Sequence, residues 1–249
     1  MFKKFLAFSS VLFFLFSLSS VQAQFEGKIV FDSYEVSPDG SRKQIDQYNL
    51  FITNDRILLD GNKKYNVVGS IQTEGVLVRL DFEDFVFLNG EETALKISKQ
   101  DITSMMNFFT NGNSENIVDG EQLNYRKTGE RKVIKGYSTE EFIFTDRDNS
   151  NDYAVVWMTD NLKVDWGMLS EKWGNADLDM LGEDLSFDLV FKEGYFPLLM
   201  EAYRAGELRE LTEVSHISES SIARAMVQIP SGVKVLSFQD YLFSKMSEQ

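Results

Sequence analysis

The chain of 249 residues contains no cysteine, one histidine and three prolines. Without cysteine it has no disulfide, no cysteine-bound zinc or iron–sulfur centre, no thiol nucleophile and no cysteine that could be lipidated. One histidine is too few for the zinc sites that use two or three, and it is the only base of that type for a catalytic triad. Positive charge is also scarce, since 25 Lys and Arg stand against 39 Asp and Glu and the net charge is −14. Because nucleic acid is itself strongly anionic, this balance argues against it as a partner.

The first residues of the chain have the pattern of an export signal. Two lysines precede an apolar stretch at residues 5–18, and the small residues Val21 and Ala23 suit the positions before a signal-peptidase cut. The stretch is about 14 residues long, which is shorter than the roughly 20 residues that cross a bilayer. We therefore expect residues 1–23 to be a cleaved signal peptide, with an uncleaved membrane anchor as the alternative. The protein is then periplasmic or secreted, is not a lipoprotein and keeps no integral membrane segment.

The rest of the chain, residues 24–249, has the pattern of a single domain dominated by β-strands. Apolar and polar residues alternate over residues 25–36 and 76–87, as in strands that bury one face. Ser37-Pro38-Asp39-Gly40 predicts a turn, because proline fixes φ and glycine accepts a positive φ. Turn signals recur about every 10–14 residues, which favours an antiparallel sheet over βαβ units. Further strands are predicted at residues 48–52, 56–59, 140–144, 153–158, 185–191, 197–203 and 207–217.

Three segments have helical patterns. Ser98 and Asp101 form a capping-box pattern, and apolar residues follow it at the spacing of one helix face: Ile102, Met105, Met106 and Phe109. Residues 166–185 and residues 238–246 are the other two amphipathic segments. We expect a mainly β protein of the α+β class, with an antiparallel sheet and two or three helices.

The sequence KTGERKVIKGY at residues 127–137 resembles the central motif of DUF4412, a family of exported proteins common in Bacteroidetes. The first strand from Phe25, the strand with Trp157 and the tail at residues 229–233 are similar to the same family. The cysteine that usually follows Gly-Tyr in the family is absent, and Ser138 stands there. The resemblance implies a fold similar to the periplasmic lipoprotein carriers. In those proteins a curved antiparallel half-barrel sheet has helices on its concave face and holds acyl chains there.

Three polar groups have a catalytic or metal-binding alternative. The loop at residues 146–152 is rich in Asp and Asn, but counted from Asp146 it lacks the EF-hand glycine and glutamate, so a solvated turn is the simpler interpretation. Asp81 and Glu83 alternate with phenylalanines as on the polar face of a strand, and no second carboxylate motif offers a glycosidase partner. His216 has no Gly-x-Ser-x-Gly nucleophile elbow to act on. We therefore expect no catalytic residue, no metal site and no cofactor.

Aromatic residues make up 13% of the chain, and many lie in predicted strands. On the concave side of a half-barrel they would line an apolar pocket, which is the usual form of a small-molecule site; otherwise they fill the core. The candidate ligand-binding residues are Phe51, Met105, Met106, Phe109, Phe142, Phe144 and Trp157. The first hypothesis is a non-enzymatic exported protein that binds a lipid or another hydrophobic ligand in this cavity. The alternatives are a structural or protein-interaction module of the cell envelope with a self-filled core and, third, a carboxylate-dependent hydrolase.

Overall fold

The computed structural model describes residues 24–66, 72–90, 92–103, 125–146, 149–171 and 187–247. In these ranges the chain forms one sheet of twelve strands, which confirms the prediction of a mainly β protein. The strands are β1 (Gly27–Val36), β2 (Arg42–Ile52), β3 (Arg56–Asn66), β4 (Gln72–Arg79), β5 (Asp84–Leu88), β6 (Thr93–Ser98), β7 (Tyr125–Ile134), β8 (Tyr137–Thr145), β9 (Tyr153–Thr159), β10 (Phe196–Arg204), β11 (Glu207–Glu219) and β12 (Lys234–Ser237).

The sheet consists of two antiparallel meanders, β1–β6 and β7–β11, which are joined by the pairing of β1 with β11. Strand β11 lies beside β1, so the order across the sheet is β12-β6-β5-β4-β3-β2-β1-β11-β10-β9-β8-β7. In the joining pair Ile29 lies opposite Ile217, and β1 also pairs with β2. Strand β12 adds to the outer side of β6 as the one parallel pair among the described strands. The prediction of an antiparallel sheet is confirmed, with this single exception.

The helices of the described ranges are short. Helix α1 spans Phe187–Phe191, helix α2 spans Phe238–Ser247, and residues 99–103 are helical. Single 3-10 turns lie at Gly167–Ser170 and Arg224–Val227. None of the helices in the described ranges is long and apolar enough to cross a membrane.

The capping box at the start of the first predicted helix is confirmed. The Ser98 N–H donates to Asp101 Oδ2 at 2.8 Å, and the Asp101 N–H donates to Ser98 Oγ at 3.1 Å. These reciprocal bonds satisfy two of the N–H groups that a helix start leaves unpaired. Most of the apolar stripe that follows, from Met105 to Phe109, lies outside the described residues.

The third predicted helical segment is confirmed, whereas the strand predicted at residues 185–191 is wrong. Helix α2 forms where the third amphipathic segment is predicted. Most of the second segment lies outside the described residues. The predicted strand at residues 185–191 ends in α1 instead, where the adjacent side chains Leu189 and Val190 are both buried. Successive residues of a strand point to opposite faces, whereas a helix packed on a sheet can bury both.

The motif at residues 127–137 forms β7, the turn after it and the start of β8. Gly129 has a φ of 87° at the register shift in β7, where a bulge interrupts the pairing with β8. Lys135 and Gly136 have φ values of 50° and 89°, and a type I′ hairpin turn needs positive φ at both central positions. The two glycines of the motif therefore have local structural roles.

Different segments cover the two faces of the sheet. On the face that carries Ile29, Phe142 and Leu198, here called the first face, the segment at residues 160–171 and helices α1 and α2 pack over the strands. These three side chains are fully buried, so this face forms the main core. On the opposite, second face, the segment at residues 220–233 crosses β2–β6 and covers a separate apolar cluster. We call this segment the strap.

Candidate ligand-binding site

Six side chains form a row across the second face, from β1 to β6. The pairing places Lys28 opposite Phe51, Phe51 opposite Leu58, Leu58 opposite Leu77, Leu77 opposite Val86 and Val86 opposite Lys96. Directly opposite residues of an antiparallel pair share a face, so the six lie together on the second face. Five strand spacings of about 4.8 Å give the row a length of about 24 Å. We call it the lysine-flanked row.

The row is an apolar stripe with a positive charge at each end. Its four apolar side chains are at most 8% exposed, whereas both lysines are half-buried. Lys28 Nζ lies 5.2 Å from the centroid of the Phe51 ring, within the range of a cation–π contact. No carboxylate of the described residues forms an ion pair with Lys28 or Lys96, although acids outnumber bases in the chain.

Polar residues border the stripe and limit its width. On one side Arg56 lies opposite Arg79, and Arg79 lies opposite Asp84, each two residues along its strand from a member of the row. Arg79 donates two hydrogen bonds to the buried Asp84 carboxylate. Arg56 donates through Nη2 to Asp81, while its buried Nε has no hydrogen-bond partner among the described residues. On the other side Asn49 lies opposite Asp60. Over β2 and β3 the apolar stripe is therefore one side chain wide. From β4 to β6 it is wider on the Asp60 side, because Asp60 lies opposite Gly75, Gly75 opposite Leu88 and Leu88 opposite Ala94.

The backbone of the strap is fixed to the sheet only near its two ends. The Ser220 N–H donates to the Glu26 carbonyl oxygen at 3.2 Å, and the Ile222 N–H donates to the Glu26 carboxylate at 3.3 Å. Just past the strap, the Lys234 N–H donates at 2.7 Å to the carbonyl oxygen that precedes β6. Between residues 223 and 233 the backbone forms no hydrogen bond to another described segment of the chain.

Side-chain burial holds the middle of the strap. Val227 is 1% exposed and packs into the apolar cluster of the row, with Ile222, Ile229 and Val233 beside it. Arg224 Nη2 lies 3.4 Å from Asp55 Oδ2, but the Arg224 side chain is 63% exposed. Exposed ion pairs contribute only about 0–1 kcal/mol. The apolar side chains therefore dominate the attachment of the strap.

The second face carries a different surface over β8–β10. Lys132 Nζ lies 3.7 Å from the centroid of Trp157, and the rings of Tyr153 and Tyr203 stack at 4.5 Å with an angle of 7°. Burial lowers the pKa of the Lys132 amine, and burial together with the nearby Glu201 carboxylate raises the pKa of Tyr203. Aromatic rings with polar neighbours are enriched at protein interfaces. We call this the aromatic–acidic surface: Glu141, Tyr153, Trp157, Glu201 and Tyr203.

The structure separates the binding residues that the sequence suggested. Phe142 and Phe144 lie on the first face, where α1 packs against them. Phe51 belongs to the lysine-flanked row, and Trp157 belongs to the aromatic–acidic surface. The four described residues therefore do not line one common pocket. Outside the described residues lie the three others, Met105, Met106 and Phe109.

Sequence reasoning missed five members of the row. A continuous apolar run is the signal that the sequence carries for Leu58, Leu77 and Val86, at residues 57–59, 76–78 and 85–88, and it is typical of strands buried on both faces. It does not show which residue of one strand lies opposite which residue of the next. The row exists only once the register of five strand pairs is known. The missed residues are Lys28, Leu58, Leu77, Val86 and Lys96.

The carboxylates considered for glycoside hydrolysis lie in a different setting from the predicted one. Asp81 and Glu83 are in the turn between β4 and β5, so the prediction of a polar strand face is wrong. The apolar residues around them made the segment resemble one continuous strand. Asp81 Oδ2 accepts a hydrogen bond from Arg56 Nη2 at 2.9 Å, which gives this carboxylate a structural partner.

The remaining polar candidates are part of ordinary local structure. His216 lies in β11 opposite Val30. In the loop at residues 146–152 the Asn149 N–H donates to Asp146 Oδ1 at 2.8 Å, as in a turn stabilised by its own side chains; residues 147 and 148 lie outside the described ranges. Across the residues that the structure describes, no group of three or more His, Asp or Glu side chains is placed to hold a metal ion.

Neither a protein-family model nor a curated protein matches this sequence. One similar solved structure is that of PNGF-II, with 14% identity and a TM-score of 0.44 over 89% of this chain and 33% of that one. Another is an uncharacterised conserved protein from Thermus thermophilus, with 6% identity and a TM-score of 0.40 over 85% of this chain and 91% of that one. This chain thus spans about a third of the length of PNGF-II. At these values the likeness carries no functional argument, and the resemblance to DUF4412 stays a prediction.

Proposed function

We propose that this is a non-enzymatic exported protein that binds an apolar or amphiphilic ligand against the second face of β2–β6. The lysine-flanked row carries the proposal, because it is a continuous apolar stripe that the strap covers. The middle of the strap forms no backbone hydrogen bonds to the sheet, so it can lift without unpairing any strand. Segments with few such bonds are the ones that open locally in folded proteins.

The half-barrel shape that the DUF4412 resemblance implies belongs to the same proposal. Helices α1 and α2 pack on the first face, which would be the concave face of such a half-barrel. That face is filled by the protein's own side chains, including the fully buried Phe142 and Leu198. We therefore place the proposed ligand site on the other face, under the strap.

Native mass spectrometry of the full protein purified from its own cells, followed by organic extraction, tests the proposal. We expect a bound mass that extraction removes and that returns when the extracted lipids are offered again. Val86→Thr introduces a hydroxyl into the row and should abolish the bound mass. Val156→Thr is the matched control, because Val156 is equally buried but lies on the first face. A protein that carries no added mass, and gains none when lipids are offered, would overturn the proposal.

A protein-interaction module of the cell envelope is a second candidate, and the aromatic–acidic surface favours it. The stacked rings of Tyr153 and Tyr203 are only half-buried, so ring surface remains for a partner. Chemical cross-linking in the envelope fraction, compared between the wild type and Tyr203→Ala, tests this candidate. We expect loss of a specific cross-linked species in Tyr203→Ala but not in the control Tyr34→Ala. Identical cross-linking in all three proteins would exclude the surface as the site of such an interaction.

A further inference from the structure

We propose that the ligand of the lysine-flanked row is a single-chain amphiphile with an anionic head group, such as a long-chain carboxylate or an alkyl phosphate. Its chain lies across β2–β5 in the place of the strap, and its head group pairs with Lys28 or Lys96. The inference rests on the proposed function, because it names the ligand class of the same site.

The shape of the row selects a linear chain. The stripe is one side chain wide over β2 and β3, because Asn49 and Asp60 border it on one side and Arg56 borders it on the other, whereas Gly75, Leu88 and Ala94 widen the apolar surface at β4–β6. The four spacings from Lys28 to Val86 extend over about 19 Å, the span of a long extended alkyl chain. Over β2 and β3, where the stripe is narrow, a sterol, a polycyclic ring or a two-chain lipid would have to bury the polar border residues, which is unfavourable when they lose their hydrogen bonds.

The charge at the ends of the row selects the head group. The chain as a whole is strongly acidic, yet both ends of this apolar stripe are lysines without a carboxylate partner among the described residues. Beside an apolar stripe an anion and an ammonium group attract each other more strongly than in open water, because less water screens the pair. An anionic head group at either end therefore finds a partner, whereas a cationic head group meets a like charge at both ends.

The strap already occupies the row as an apolar chain would. Val227, Ile222, Ile229 and Val233 supply the apolar contacts that a ligand chain replaces. The strap stays tethered at Ser220 and Lys234, so its middle can move aside while both ends keep their backbone bonds. Exchange of one apolar occupant for another leaves the row buried throughout.

Binding of palmitate, hexadecyl phosphate, hexadecanol and hexadecylamine to the full-length protein tests the inference. We expect both anions to bind, hexadecanol to bind about tenfold more weakly, and hexadecylamine to bind more weakly still. Replacing both flanking lysines, Lys28→Gln with Lys96→Gln, should cost about tenfold in the affinity for palmitate and leave hexadecanol binding unchanged. The matched control is Lys43→Gln with Lys63→Gln, which removes the same charge from two exposed lysines outside the row and should keep the wild-type affinity.

A thiol reporter locates the ligand. In the cysteine-free chain, Val227→Cys places a single thiol on the strap, and we expect palmitate to accelerate its modification because the strap moves aside. Equal affinity for palmitate and hexadecylamine, equal losses in the two lysine pairs, or a Val227→Cys thiol that does not respond to palmitate would each overturn the inference. If only one of the two anions binds, the head group is that anion and the inference holds for it alone. Failure of all four amphiphiles and of cellular lipids to bind would instead overturn the proposed function itself.

Discussion

The attachment of the strap can be weakened at one residue whose contribution follows from its burial. Val227→Ala removes two methyl groups from a side chain that is 1% exposed. At about 0.8 kcal/mol for each buried carbon, with a small addition for the cavity left behind, the strap loses about 2 kcal/mol. Since 1.4 kcal/mol corresponds to a factor of ten, the population with the strap detached should rise about 30-fold.

The absence of cysteine makes this population measurable. Ala94 is 1% exposed and belongs to the apolar cluster under the strap, so Ala94→Cys introduces one thiol that is protected while the strap is in place. When opening and closing are fast, the rate of thiol modification under native conditions is proportional to the population that is open. We expect Val227→Ala to raise this rate about 30-fold in the Ala94→Cys background.

A substitution on the first face distinguishes local detachment of the strap from unfolding of the whole domain. Ile29→Val, at a fully buried position of the main core, should lower the global free energy of unfolding by about 1 kcal/mol. If the strap detaches by itself, Ile29→Val leaves the rate of thiol modification unchanged. If Ile29→Val accelerates modification in proportion to its global effect, the strap opens only when the whole domain unfolds, and the local-opening argument is refuted.

Two further predictions concern the polar residues around the sheet. Asp84→Asn should lower the free energy of unfolding, measured by urea titration, by about 3 kcal/mol, because it leaves the Arg79 guanidinium without its buried carboxylate. The control Glu74→Gln should lower it by less than about 1 kcal/mol, since the ion pair of Glu74 with Lys64 is about half exposed. Burial and the hydrogen bond from its hydroxyl group to Glu219 raise the pKa of Tyr137 to about 12. The folded state then holds this proton while the unfolded chain loses it near pH 10, so stability falls between about pH 10 and 12. Tyr137→Phe should flatten that part of the stability profile and remove one late-titrating group from the tyrosinate absorbance. An unchanged profile would contradict the assigned environment.

Local features of the fold could be predicted from the sequence because neighbouring residues determine them. The turn at residues 37–40 forms as expected, with the Gly40 N–H donating to the Ser37 carbonyl oxygen at 2.8 Å. The capping box at Ser98 likewise needs only two residues three positions apart. Residues 187–191 show the limit of such patterns, since a short, mostly apolar run suits a strand and a short helix equally well.

The candidate site could not be predicted because it depends on contacts between distant segments. Leu58 and Leu77 lie in different strands, and a shift of one residue in their pairing would turn the whole set to the other face. The strap adds a second long-range condition, since nothing near Val227 indicates which face of the sheet it covers. The prediction that Phe142 and Trp157 share a pocket used only the alternation of residues within each strand. It did not include the register between strands, which places the two residues on opposite faces.

The pairing of β1 with β11 has a consequence for the order in which the molecule can form. During synthesis the N-terminal meander is complete once β6 has emerged, but β1 keeps an unpaired edge until Glu207–Glu219 follows. Strand β11 continues directly into the strap. The edge of β1 is therefore paired first, and the apolar row is covered in the next step. A chain that stops before residue 207 therefore exposes both a free strand edge and an apolar stripe, and each of these promotes aggregation. Strand β11 and the strap therefore protect the N-terminal meander from aggregation.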